Sequence, residues 1–169
     1  MKSQEIETLN ELLEKLRLGE IEGTVEIRIT SKGKLSRIIV KRKDEKEVDT
    51  KEEITHKVIE LQLKKPELQV DVSHLEVEAH IPGFDLHGSN FTYSKVINSD
   101  LLYNNLKDVP FYKAFISQSN VSSAYGLNLD RAYATGSVNL YNTQSSVPEI
   151  VNPLDAPFQA HDHDHGGYY

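Results

Sequence analysis

The chain has no cysteine, no tryptophan, a single methionine and no apolar run approaching the length of a membrane span. Without cysteine there is no disulfide framework, no thiol nucleophile and no thiolate metal site. With no run of about 18 apolar residues there is no membrane-spanning helix to expect, and Met1 leads directly into a charged segment unlike a signal peptide. These absences fit a cytoplasmic or virion protein, and no secretory signal peptide is expected. Apolar residues are also scarce: 38% of the chain, where about 45–50% is usual with glycine counted. No phosphate-cradling glycine loop, no G-x-S-x-G and no nucleophile paired with a base at meaningful spacing occurs, so no enzyme is expected.

Charge is plentiful but uneven. The formal net charge of −7 argues against bulk affinity for nucleic acid. Residues 1–80 carry 15 Lys and Arg with 18 Asp and Glu, whereas residues 81–169 carry only 4 and 8. The change falls near Pro82-Gly83 and divides the chain into a small α+β domain, 1–82, and a C-terminal half, 83–169.

The first domain is built around Gln4 to Lys43. Ile6, Leu9, Leu12, Leu13 and Leu16 recur at helical steps, with Ser3 as N-cap and Gly19 as the stop. From Thr24 the period becomes two: Val25, Ile27 and Ile29 form one strand, Ser31 to Lys34 the turn, and Leu35 to Val40 the return. The spacing thus predicts a short helix packed on an antiparallel hairpin, a unit too small to be stable alone. Thr50 and Glu53 have capping-box spacing and open a helix over about 51–63, although Ile59, Leu61 and Leu63 also alternate as in a strand. Leu68 to Val72 and Leu75 to Ile81 alternate and extend the hairpin into a small antiparallel sheet.

The run Leu16-Arg17-Leu18-Gly19, Gly23-Thr24-Val25-Glu26-Ile27 and the Gly33 turn resembles the YezD-like family of very small uncharacterised bacterial proteins. The likeness covers about a quarter of the chain. It implies only the local helix-and-hairpin fold, since the family brings no activity with it.

Beyond Gly83 neither a helical nor a two-residue apolar period persists, and Ser, Asn, Tyr, Gly and Leu dominate. A weakly patterned yet modestly charged half of this kind is expected to be a long, largely extended arm with short β segments. It would take its order from a neighbouring subunit. Phe111, Tyr112, Phe115 and Ile116 are its candidate anchors, with Tyr125, Tyr133 and Tyr141 as further contacts. The whole reads as a non-enzymatic assembly protein of a homo-oligomeric or virion-type structure, similar in style to phage and virus structural proteins.

Three other chemistries are written into the chain. His161, His163 and His165, alternating with Asp162 and Asp164, fall on one side of an extended backbone and suit a divalent transition metal. This makes a small metal- or ligand-binding module the alternative function, and no other cofactor is indicated. His74, His80 and His87, among Asp71, Glu76, Glu78 and Asp85, suit a hydrolytic metal site if the two first histidines share a strand face. Lys32, Lys34, Arg37, Lys41, Arg42 and Lys43 make the second hairpin strand basic, as for phosphate contact or a protected edge.

Overall fold

A computed structural model describes residues 4–43, 56–145 and 148–152. It contains one short helix and one mixed sheet of eight strands. Helix α1 (Gln4–Arg17) buries Ile6, Leu9, Leu13 and Leu16. It ends in a Schellman pattern: Gly19 has φ +78°, its N–H donates to Leu16 O and the Glu20 N–H to Lys15 O.

β1 (Thr24–Ser31) and β2 (Lys34–Arg42) form the expected hairpin. Only Lys32 and Gly33 lie between them, at φ +53° and +76°, the pair of left-handed residues that a tight turn matched to strand twist requires. β3 (His56–Leu63) pairs parallel with β1 over its whole length, from Thr24↔His56 to Ser31↔Leu63. The helix expected over 51–63 is therefore a strand in its described part. Pairing on the free side of β1 and burial of Leu61 outweigh the local capping signal. β4 (Leu75–His80) runs antiparallel on the other side of β2.

From here the sheet continues as a parallel ladder through β5 (Lys95–Ile97), β6 (Phe115–Ser117), β7 (Tyr133–Ala134) and β8 (Glu149–Ile150). These short strands form one wall of a solenoid. His80 bridges to Asp100 and Asp100 to Asn120, while Asp85 bridges to Asn105 and Asn105 to Tyr125. Each step advances 20 residues and one coil.

The pattern that builds the coil has a period of five. Ile81, Leu86, Phe91, Val96, Leu101, Leu106, Phe111, Ile116 and Val121 are all buried, as are the residues two before each of them. Burial thus advances in alternating steps of two and three. Every residue two after these apolar centres, from Gly83 to Ser123, has positive φ. The backbone turns a corner there, so five residues make one side and four sides make a coil. The residue before the centre is often Asp or Asn, whose side chain accepts the N–H two residues on. Asp85 holds His87, Asn90 holds Thr92, Asp100 holds Leu102 and Asn120 holds Ser122 in this way. Inside, like residues stack from coil to coil; the Phe91 and Phe111 rings lie 4.9 Å apart at 19°. Small buried serines join the coils: Ser99 Oγ accepts Ala79 N–H, Ser119 Oγ accepts Ser99 N–H, and Ser89 Oγ accepts Val70 N–H. At Gly126, with φ +70°, the backbone passes so close to the neighbouring coil that a Cβ would lie 2.7 Å from the Lys107 Cα; the next residue, Leu127, is buried.

Residues 83–145 therefore do not run as an extended arm. The apolar centres from Ile81 to Val121 are too widely spaced for a helix or an amphipathic strand, but a corner every five residues turns each of them inward. The break in composition at 82–83 also falls inside a coil: Ile81 N–H donates to Asp100 O and Gly83 N–H to Leu102 O. The architectural change comes earlier, after β3, where Leu68, Val70 and Val72 enter the first coil and not an antiparallel strand.

The first coil would expose its apolar end and an unpaired backbone edge, and α1 covers both. Asn10 donates to Gln69 O and accepts from Asp71 N–H, while Arg17 donates to Ser73 O at 2.7 Å and Asp71 O at 2.9 Å. These side chains supply the bonds that a preceding coil would have made. The helix, the hairpin and the coils share one apolar core.

Candidate contact surface

The corner residues project side chains outward in columns. One column contains His74, Tyr93, Lys113 and Arg131, at φ +62°, +59°, +57° and +63°. Backbone bonds tie it together: His74 N–H donates to Thr92 O, Tyr93 N–H to Tyr112 O, and Lys113 N–H to Arg131 O. The His74 and Tyr93 rings stack at 5.0 Å, and Tyr93 meets Tyr112 edge-on at 5.8 Å. Lys113 Nζ lies over the Tyr133 ring at 5.6 Å and donates to its hydroxyl at 3.1 Å. That hydrogen bond, opposed by burial and aided by the neighbouring tyrosines, raises the Lys113 pKa. Desolvation, followed by the charges of Lys43 and Arg17, lowers that of His74 against the pull of Asp71.

Beside this column the wall strands set Glu76, Lys95, Phe115, Tyr133 and Glu149 in one row. Lys41 and Lys95 flank Glu76 at 3.0 and 3.6 Å. On β1, Glu26 is buried yet charged; Arg28 donates to it and His56 Nε2 lies 3.5 Å away. The Arg28 hydrogen bond holds its carboxyl below the usual range, against the opposing effect of burial.

The expected anchors separate into two groups. Phe111 and Ile116 lie in the apolar core, and Phe115 is buried between Lys95 and Tyr133 in register. Their apolar surface is covered within this chain, so they are not docking anchors. Tyr112, Tyr125 and Tyr141 are exposed, by 41, 63 and 77%, and Tyr133 is half-buried under Lys113. Tyr103, 67% exposed, belongs with them. The five-residue frame would have found it, because Tyr103 sits two residues after Leu101, the same corner position as Tyr93 after Phe91.

The histidines His74, His80 and His87 do not make a common site. His74 has left-handed backbone and precedes β4, which removes the shared strand face; it stacks on Tyr93 instead. His80 pairs with Glu78 at 3.0 Å and His87 is exposed. Among the described residues no three His, Cys, Asp or Glu side chains are grouped to hold a metal. His161, His163 and His165 lie outside the described residues. The basic strand is divided as well: Lys41 faces Glu76 and Lys43 Nζ donates to Tyr93 O, while Lys32, Lys34 and Arg37 are exposed. Among the described residues no helix is long and apolar enough to cross a membrane.

Comparison with protein-family models, with curated proteins and with solved structures finds no match to this chain.

Proposed function

We propose that the protein is a non-enzymatic structural subunit whose solenoid surface contacts neighbouring proteins in a homo-oligomeric assembly. The observation that carries this reading is the set of exposed tyrosines, Tyr103, Tyr112, Tyr125 and Tyr141, on the outside of a hydrogen-bonded stack. Tyrosine gives large contact area with few rotatable bonds, and a rigid base removes most of the remaining ordering cost. The four stand in different outer columns, Tyr125 in that of Asp85 and Asn105, Tyr112 beside Tyr93, and Tyr103 and Tyr141 on another corner, so they favour broad contacts over a cleft for a small substrate.

The test is the mass distribution of the intact chain by light scattering after size exclusion, beside a variant with these four tyrosines changed to serine. The expected result is an assembly larger than a dimer for the unaltered chain, reduced in the variant while its far-ultraviolet dichroism is unchanged. An unaltered chain that stays monomeric, or a folded variant of undiminished mass, would overturn the reading.

A further inference from the structure

The eight-stranded sheet ends on one side in β3, and among the described residues nothing pairs with its outer edge. Eight residues is long for a free edge, and β3 has neither proline nor a bulge in its register with β1; Lys57 and Glu60 are the only charges it carries. Its side chains alternate. His56, Val58, Glu60 and Gln62 are exposed on the outer face, with Val58 at 39%, while Ile59, Leu61 and Leu63 turn toward the helix side. There α1 leaves part of the sheet uncovered. A groove of about 430 Å³ runs between helix and strand, floored by Leu9, Leu12, Ile59 and Leu61 and rimmed by Glu5 and Lys15.

We propose that β3 is the two-fold contact between two copies of this chain, paired antiparallel with Ile59 opposite Ile59 of the second copy. The proposal rests on the assembly reading above and names one contact within it. A two-fold axis normal to a sheet keeps each face on its own side, so only residues of equal parity can stand opposite one another. Three centres fall near the middle of the strand. Centring on Val58 pairs only 56–60 of the described strand. Centring on Glu60 pairs 57–63 but sets two carboxylates face to face, which is destabilising. Centring on Ile59 pairs 56–62 and opposes no like charges: Val58 meets Glu60, His56 meets Gln62, and the Lys57 stem lies over Leu61 of the second copy. Arg28, in register with Glu60 on β1, adds a positive charge to that face, where it also bonds Glu26. The two grooves then join into one trough across the axis, over the paired Ile59 side chains. Each copy carries net charge −7, so added salt screens the repulsion between them and tightens the dimer.

The test is sedimentation equilibrium of the full chain from micromolar to several hundred micromolar, with hydrogen exchange at both ends of that range. The expected result is a concentration-dependent two-fold association, with amides of 56–62 slowed at high concentration. Val58→Glu, which faces Glu60 across the contact, weakens the association at least tenfold, and Val58→Lys maintains or tightens it. Both variants replace an exposed residue, and their melting curves report on folding. Exchange of 56–62 that is independent of concentration in the unaltered chain overturns the proposal whatever the variants do. So does an association indifferent to Val58→Glu. If larger assemblies persist while β3 exchange is unaffected, β3 is excluded and contact through the exposed tyrosines still stands; a monomer at every concentration ends both.

Discussion

Asn104 takes, on another side of the coil, the inward position that elsewhere holds a serine. Where Ser89, Ser99 and Ser119 offer a hydroxyl to the preceding coil, Asn104 offers its amide oxygen to Phe84 N–H at 3.1 Å. Its Nδ2 is buried without a partner, which costs free energy on the order of 1–3 kcal/mol. Asn104→Ser keeps an acceptor and removes the orphan donor, whereas Asn104→Ala removes both and leaves Phe84 N–H unpaired. The alanine variant is expected to lose about 1–3 kcal/mol relative to the serine variant by urea denaturation. Equal stability of the two would show that the bond to Phe84 contributes nothing. Titration acts at the residue scale too. Glu26 has a depressed pKa in the folded chain, so its contribution is present above the ordinary glutamate range and is lost as pH falls through the folded value. His74 is also depressed; its contribution is present above about pH 6.5 and fades as pH falls toward its folded value. Urea midpoints measured downward from pH 8 are expected to decline in these two windows. Glu26→Gln flattens the acid one and His74→Gln the upper one.

At the scale of elements, α1 acts as the missing neighbour of the first coil, and Arg17 is its strongest tie. Arg17→Met keeps the stem but loses the bonds to Ser73 O and Asp71 O. It is expected to lower unfolding free energy by about 1.5–3 kcal/mol, measured by denaturant titration. Arg17→Lys recovers only part, since one ammonium cannot reproduce a guanidinium spanning two carbonyls. The helix and hairpin were legible because their signals are local: the leucine stripe, the Gly19 stop and the Lys32-Gly33 turn each act within a few residues. β3 was ambiguous because a capping signal at Thr50 and Glu53 competed with alternation at Ile59, Leu61 and Leu63. The coils were not read because their period is five, whereas helical and strand patterns repeat at 3.6 and two. Their pairings also join residues 16 to 20 apart, which no local signal reports. For the same reason Phe111, Phe115 and Ile116 looked like an exposed apolar patch, when the corners at Lys113 and Gln118 turn that segment into the wall. Tyr112, Tyr125 and Tyr141 are exposed, on the outside of a rigid stack and not on a free arm.

Over the whole molecule one apolar core and one sheet run from α1 to the last coils, so stability is distributed along an axis. Interior coils have neighbours on both sides; among the described residues the last wall strand is β8, two residues long and exposed. Native-state hydrogen exchange is expected to be slowest for amides within 75–121 and to quicken toward 139–150. Uniform protection along this axis would mean that the end is held as firmly as the middle.

The antiparallel joint between β2 and β4 sets a direction for the assembly of the coils. The helix and hairpin precede the coils in the chain, so on a ribosome an edge with bonding groups in place exists before the first coil emerges. Each later coil then closes a loop of only about 20 residues onto a finished template, a small and repeated entropy cost in place of one large one. The chain is thereby expected to wind in the order in which it is synthesised, with the N-terminal module as the primer for the coils that follow.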